Sequence, residues 1–296
     1  MSESIVCTGH PRDMGFAQGR ALRAVIEAAV ARAGLSTHRS RWPSLRPLVS
    51  GALRGSGPGR ELFRHFAHQA ERLEGLAQAA SLPLDSLLEL QLRRGESGAE
   101  AAWLVRESRP VVGFRSLDVT LPWLVPAMAG LNEAGLAVLA QASDAAMDAN
   151  SLRRVGDAPP FLLVQDCLAR FEHLAGAVDW CRKRPVEGEQ TLLLGDASGA
   201  RARVEFRGSE RRVEAGLGAP WPDAARTGQA GEIAGALGGA LPERSAVFVR
   251  LDPVGRRVSL ESGVGPGSGL GADGAPRARA RVFGFESLPL SGAHAE

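Results

Sequence analysis

The sequence predicts an α+β fold, with a helical first third followed by short strands interspersed with helices. Three observations carry that expectation. Before residue 93, apolar side chains recur at helical spacing, first at Leu22, Val25, Ile26, Ala29 and Val30, then at Leu62, Phe66, Ala70, Leu73 and Ala77. Beyond Ala102 the apolar runs shorten and are bounded by Gly, Pro, Asn and Asp, as strands are. Two hairpin turns stand out, Asp196-Ala-Ser-Gly199 and Asp252-Pro-Val-Gly255, each flanked by strand-like segments.

The bulk properties bound the reading. A chain of 296 residues, 44% of them apolar, is long enough to bury a full core. Aromatics make up only 5% and Tyr is absent, so that core leans on Leu, Val and Ala. A net charge of +2, with Lys183 the only lysine, argues against a nucleic-acid or membrane partner. No stretch approaches the ~20 apolar residues of a membrane span. Cys7, Cys167 and Cys181 are odd in number and lack metal-ligand spacing. They fit a reducing compartment, and the cytoplasm is the expected location. No cofactor or metal is expected, and a homo-oligomer is left open.

In chain order, Thr8 to Arg12 reads as a helix start, with Thr8 or His10 able to cap and Pro11 suited to the first turn. Gly15 and Gly19 lie inside this helix, where each costs roughly 1 kcal/mol against Ala. A close backbone contact is the expected compensation. Residues 34–60 read as an irregular connection. A helix from Gly59 to Ala80 follows; His65 and His68 lie three apart on it, but no third ligand is in view. Ser86 and Glu89 suggest a capping box for a short helix through Leu92.

Residues 96–118 read as a strand hairpin. Trp103 to Val105 and Val111 to Phe114 are its apolar runs, and Arg106 to Arg109 its charged turn. Arg115 and Asp118 stand at its end as a potential ion pair. Leu121 to Gly130 reads as a loop, Asn132 to Gly135 as a turn and Leu136 to Ala140 as a buried strand. Pro159 and Pro160 open a third helix carrying Cys167, His173 and Cys181. Six positions separate Cys167 from His173, which places them on different helix faces and makes burial the better account of the cysteines. Strands are expected at Thr191 to Leu194, Arg201 to Phe206, Ala246 to Leu251 and Arg256 to Leu260, and a weak helix near Ile233. Arg277, Arg279 and Arg281 alternate along a final segment that reads as a solvated edge strand.

Six segments in this order resemble the isopenicillin N acyltransferase-like branch of the N-terminal nucleophile hydrolases. They are Gly9 to Gly19, Ala70 to Ala80, Gly113-Phe-Arg-Ser-Leu-Asp118, Gly130-Leu-Asn-Glu-Ala-Gly-Leu136, Thr191 to Asp196 and Val249 to Pro253. The resemblance implies an αββα four-layer sandwich over residues 96–296. It also implies a helical, propeptide-like segment over residues 1–95 that is removed autocatalytically. The cut would free an N-terminal Cys whose own α-amine, titrating near pH 8, acts as the base. By the same resemblance Arg115 and Asp118 orient that residue, and Asn132 donates to the oxyanion.

The nucleophile itself is missing. The positions just before Trp103 read Ala99-Glu-Ala-Ala102, and no Cys lies between Cys7 and Cys167. Ser116 stands where the family has Asn, and a later family Asn falls at Thr191. Ser97 is the only hydroxyl close by that could replace the thiol. The sequence therefore suggests a divergent hydrolase or acyltransferase-like protein with impaired catalysis. The alternatives are an active amidohydrolase or acyltransferase using Ser97, and a non-enzymatic binding or scaffold protein. A small acylated or amide-containing molecule is the partner the resemblance implies.

Overall fold

The chain opens on a strand. Ile5, Val6, Cys7 and Thr8 are a short apolar and β-branched run closed by Gly9, whose φ of +116° makes the turn out. They form β1 (Ser4–Gly9), which corrects the expectation of an entirely helical first third. In this computed structural model, residues 4–38, 58–92, 103–141, 158–216, 233–237, 246–263 and 280–285 are described. Among them no helix is long and apolar enough to cross a membrane.

Helix α1 (Pro11–Ala21) starts as its sequence suggests, with His10 at the N-cap and Pro11 in the first turn; the Asp13 carboxylate accepts the His10 backbone N–H at 3.1 Å. The chain breaks at Leu22 and continues as α2 (Arg23–Arg32). The expected helix at 59–80 is two, α3 (Pro58–His65) and α4 (Ala67–Ala80), separated at Phe66. Its stripe of Leu62, Phe66, Ala70, Leu73 and Ala77 is buried throughout, as the periodicity required. Helix α5 (Leu84–Leu92) begins before Ser86, which is buried inside it, so the Ser86–Glu89 capping box does not form at its N-terminus.

The glycines of α1 mark a close crossing with α4. A Cβ at Gly15 would lie 1.8 Å from the carbonyl oxygen of Arg72, and one at Gly19 2.6 Å from that of Leu76. The partner helix reciprocates, since a Cβ at Gly75 would lie 2.0 Å from the oxygen of Arg12. The backbones touch directly, and the propensity cost of these glycines is offset by that contact.

Eight strands form one sheet in chain order. These are β1, β2 (Leu104–Pro110), β3 (Ser116–Thr120), β4 (Ala129–Asn132), β5 (Ala137–Gln141), β6 (Gln190–Gly195), β7 (Arg201–Arg207) and β8 (Glu210–Ala215). β1 runs parallel to β2 and every later pairing is antiparallel. A second sheet takes the order β12 (Ala280–Gly284), β11 (Arg257–Gly263), β10 (Ala246–Asp252), β9 (Ile233–Leu237). The segment at Ile233 is thus a strand, not a weak helix. Ala129 to Asn132 is a strand where the end of a loop at Gly130 and the start of a turn at Asn132 were expected. β12 is the edge strand that the alternating arginines suggested, although Arg277 and Arg279 lie outside the described residues.

The third helix also divides, into α6 (Leu162–Arg170) and α7 (Leu174–Lys183). The break has a cause in the β6–β7 turn: Asp196 Oδ2 accepts the Leu174 N–H at 2.8 Å and caps α7 from outside the helix. Burial pushes the Asp196 carboxyl up, but hydrogen bonds from Ser198 and from the backbone of Leu174, Ser198 and Ala200 outweigh it and hold it below the usual range.

The central hairpin differs most from its sequence reading. Arg106 to Arg109 is strand, and the turn falls at 111–115. Alternation then sends β2 side chains to two buried faces. Arg106 and Ser108 face α1, α4 and α6, whose Gln18, Arg72 and Gln165 they meet. Glu107 takes the other face, with Arg109 and Arg115, and Arg115 reaches Phe285 at the end of β12. On that face β9 packs against β5 and β6, while β10 and β11 pack against β4. The protein is a mixed α+β structure, with helices against one face of the large sheet and the smaller sheet against the other.

Candidate functional site

Pairing across β2 and β3 sets Arg106 opposite Asp118 and Ser108 opposite Ser116, on the helical face. Asp118 is fully buried. Its Oδ2 accepts from Arg106 Nε at 3.1 Å and Ser108 Oγ at 2.6 Å, and its Oδ1 accepts from Ser116 Oγ at 2.7 Å. Arg106, equally buried, also donates to Gln18 Oε1 and Gln165 Oε1, each at 2.8 Å, and to the Leu124 carbonyl at 3.3 Å. Arg72 donates to Ser108 Oγ at 3.2 Å from both terminal nitrogens. Cys7 is paired with Ser108 across β1 and β2 and completes the cluster.

Two guanidinium groups thus lie in one buried network with a single carboxylate, Arg106 bonded to it directly and Arg72 reaching it only through Ser108. Burial, reinforced by the charge of Arg106, lowers the Arg72 pKa to about 10, which still leaves it protonated at neutral pH. Burial pushes the Cys7 thiol up against the pull of Arg72 and Arg106. Cys7 has no solvent exposure. A thiol that is neutral and closed off is a poor nucleophile. Cys7, Gln18, Arg72, Arg106 and Gln165 were not legible as site residues. The available signal was the period-two alternation of Arg106 and Ser108 against Glu107 and Arg109.

The expected Arg115–Asp118 pair does not form, which corrects that reading. Arg115 lies in the turn, on the Glu107 side. It donates to Glu107 Oε1 and to the Phe285 carbonyl, and its guanidinium sits 5.0 Å from the Phe285 ring centroid. Glu107 is also held by Arg109 at 2.7 and 3.0 Å. Asn132 shares the Asp118 face through its pairing with Ser116. Its Nδ2 donates to the carbonyls of Leu168 at 2.9 Å and Phe171 at 2.7 Å, and its Oδ1 accepts the Leu136 N–H at 2.9 Å. It therefore clamps the β4–β5 turn to the end of α6. Replacing Asn132 with Ala should cost about 2–4 kcal/mol in chemical denaturation, because two buried backbone groups and one part-buried one lose their partner. Ser97 lies outside the described residues.

A second cluster joins α4, α6 and α7. Asp166 is buried with His68 Nε2 at 3.0 Å, and the Trp180 indole N–H donates to its Oδ2 at 2.7 Å. Arg170 and Arg184 lie 3.4 and 3.7 Å from its oxygens, and Arg184 stacks on Phe66 and Trp180 at 4.9 and 4.6 Å. His68 thus lies against a buried carboxylate. Burial raises the Asp166 pKa, but His68, Trp180 and Arg170 together outweigh that and leave it lowered. A carboxyl depressed by folding contributes stability above its unfolded pKa and loses it as pH falls through the folded value. The stability lost in an Asp166→Asn variant should therefore be largest at neutral pH and shrink below about pH 4. Denaturation midpoints measured between pH 3 and pH 7 check it.

Cys167 and Cys181 are buried, their sulfurs 3.8 Å apart between α6 and α7. His173 sits at the N-cap of α7, so no Cys–His pair forms. Among the described residues no group of three or more His, Cys, Asp or Glu side chains could hold a metal ion.

No protein-family model matches the chain, and no curated protein matches it. Among solved structures the chain is similar to penicillin V acylase from Agrobacterium tumefaciens. That likeness has 16% sequence identity and a TM-score of 0.37, over 59% of this chain and 71% of the acylase.

Proposed function

We propose that this protein is a divergent N-terminal nucleophile hydrolase-type scaffold, of the amide-hydrolysing or acyl-transferring class by descent, that has lost acyl chemistry. The order of the six sequence segments supports this reading. So does the layering among the described residues, helices on the large sheet and the smaller sheet on its other face, which makes three of the four layers such a sandwich would have. The observation that carries it is the occupancy of Asp118: both carboxylate oxygens are taken by neighbouring side chains at zero exposure. A carboxylate held this way has no access to an incoming α-amine or substrate. Arg115, on the other face, cannot join it. Glu-Ala-Ala before Trp103 supplies no nucleophile.

The N-terminal segment supports the same conclusion. β1 is a strand of the large sheet, Gln18 holds Arg106, and Arg72 holds Ser108. Release of residues 1–95 would strip partners from two buried groups. In this reading the segment is a permanent part of the core, and a small acylated or amide-containing molecule would be bound without being cleaved.

Assay of the purified chain against a panel of acyl anilides tests the proposal. No turnover above a heat-denatured control is expected. Turnover that disappears in a Ser97→Ala variant would replace this reading with that of an active amidohydrolase.

A further inference from the structure

Two of the three cysteines face each other. Cys167 lies towards the end of α6 and Cys181 in the last turn of α7, two helices joined by only Phe171, Glu172 and His173. Both side chains are buried, and their sulfurs are in contact at 3.8 Å. A disulfide bond sets its sulfurs about 2 Å apart, so this pair has only to close by about 1.8 Å.

The two thiols are not equivalent. Contact with the Cys181 sulfur, then burial, push the Cys167 thiol well up, and neighbouring Asp166 adds to the rise. Cys167 is therefore the neutral partner, and its Sγ also lies 3.9 Å from the Ala177 carbonyl oxygen. Cys181 sits where its helix ends, and helix ends open far more readily than the fold as a whole. Opening that turn releases the Trp180–Asp166 hydrogen bond but leaves the Asp196 cap on Leu174, at the other end of α7, in place. The same turn carries exposed Arg182 and Lys183, whose positive charges favour a thiolate once the turn opens.

We propose that Cys167 and Cys181 form an oxidation site, a dithiol that hydrogen peroxide converts into a disulfide stapling α7 to α6. The Cys181 thiolate attacks the peroxide, takes one oxygen to become a sulfenic acid and releases hydroxide. The Cys167 sulfur then attacks the Cys181 sulfur, the S–O bond breaks, and water leaves with the Cys167 proton. In sum, two thiols and one peroxide give one disulfide and two waters. On α6, Gln165 accepts from Arg106 and the Leu168 carbonyl accepts from Asn132, so the staple ties α7 to the helix that braces the Asp118 network. This site is independent of the acyl-enzyme reading and stands whether or not that reading holds.

The test treats the full-length reduced chain with hydrogen peroxide under native conditions, then unfolds it in N-ethylmaleimide and measures its mass. The reduced chain should take up three maleimides, one for each cysteine. The treated chain should take up one, on Cys7, and peptide mapping should find Cys167 joined to Cys181. Dithiothreitol should restore the uptake of the reduced chain. The cross-linked form should melt at a higher temperature than the reduced form, because the bond constrains the unfolded chain. Full maleimide uptake after peroxide, sulfinic or sulfonic acid in place of the cross-link, a disulfide that includes Cys7, or a lower melting temperature would each overturn the proposal.

Discussion

Replacing Arg106 with Met should lower the unfolding free energy by about 3–5 kcal/mol. The side chain is fully buried and bridges Asp118 on β3, Gln18 on α1, Gln165 on α6 and the Leu124 carbonyl. Met fills similar space but donates nothing. Asp118 would keep its two serine donors but lose its directly bonded counter-charge, leaving Arg72 behind Ser108, and two glutamine oxygens would be left facing apolar surface. Removing one partner of a buried pair costs more than the pair itself contributes, because the remaining charge is stranded. Urea denaturation of the variant measures the loss. A change below about 1 kcal/mol, the scale of an exposed ion pair, would show that the network does not brace the sheet.

The second large effect concerns the helix crossing. In an exposed helix, Gly→Ala stabilises by roughly 1 kcal/mol. At Gly15 and Gly75 the sign should reverse, because the new methyl group would overlap a backbone carbonyl at 1.8 or 2.0 Å and no side chain can rotate away. The helices would have to separate, and α4 carries Arg72 into the Asp118 network. A loss of about 3 kcal/mol is expected, the upper end for overpacking, with the melting temperature falling by about 5 °C. Gly216→Ala is the control: among the described residues no atom beyond its chain neighbours lies within 4 Å of its Cβ position, and its stability should stay within about 0.5 kcal/mol of the parent.

Much of the helical part of this fold was legible because periodicity and burial are local properties. The stripe from Leu62 to Ala77 and the contact glycines in α1 needed no knowledge of their partners. The turns at Asp196 and Asp252 were legible for the same reason. The errors share a different cause. Arg-Glu-Ser-Arg at 106–109 read as a turn because burying four polar residues in a strand is costly. What offsets that cost comes from residues 18, 72, 118, 165 and 115, a set no local window contains. The Arg115–Asp118 pair failed on geometry, since Arg115 lies in the turn and faces Glu107 while Asp118 faces the helices. β1 and the strand at Ile233 were missed because runs this short carry no decisive period. Asn132 was read as the first residue of a turn but is the last of β4, and its reach to Leu168 and Phe171 depends on where α6 ends.

A core built this way requires β1, α1 and α4 to stay joined to the rest of the chain. Intact-mass analysis of the purified chain under denaturing conditions tests that most directly. A single species at 31.1 kDa is predicted, with the helices of Gln18 and Arg72 still covalently joined to the sheet they brace. Two fragments separating between Leu92 and Trp103 would contradict it.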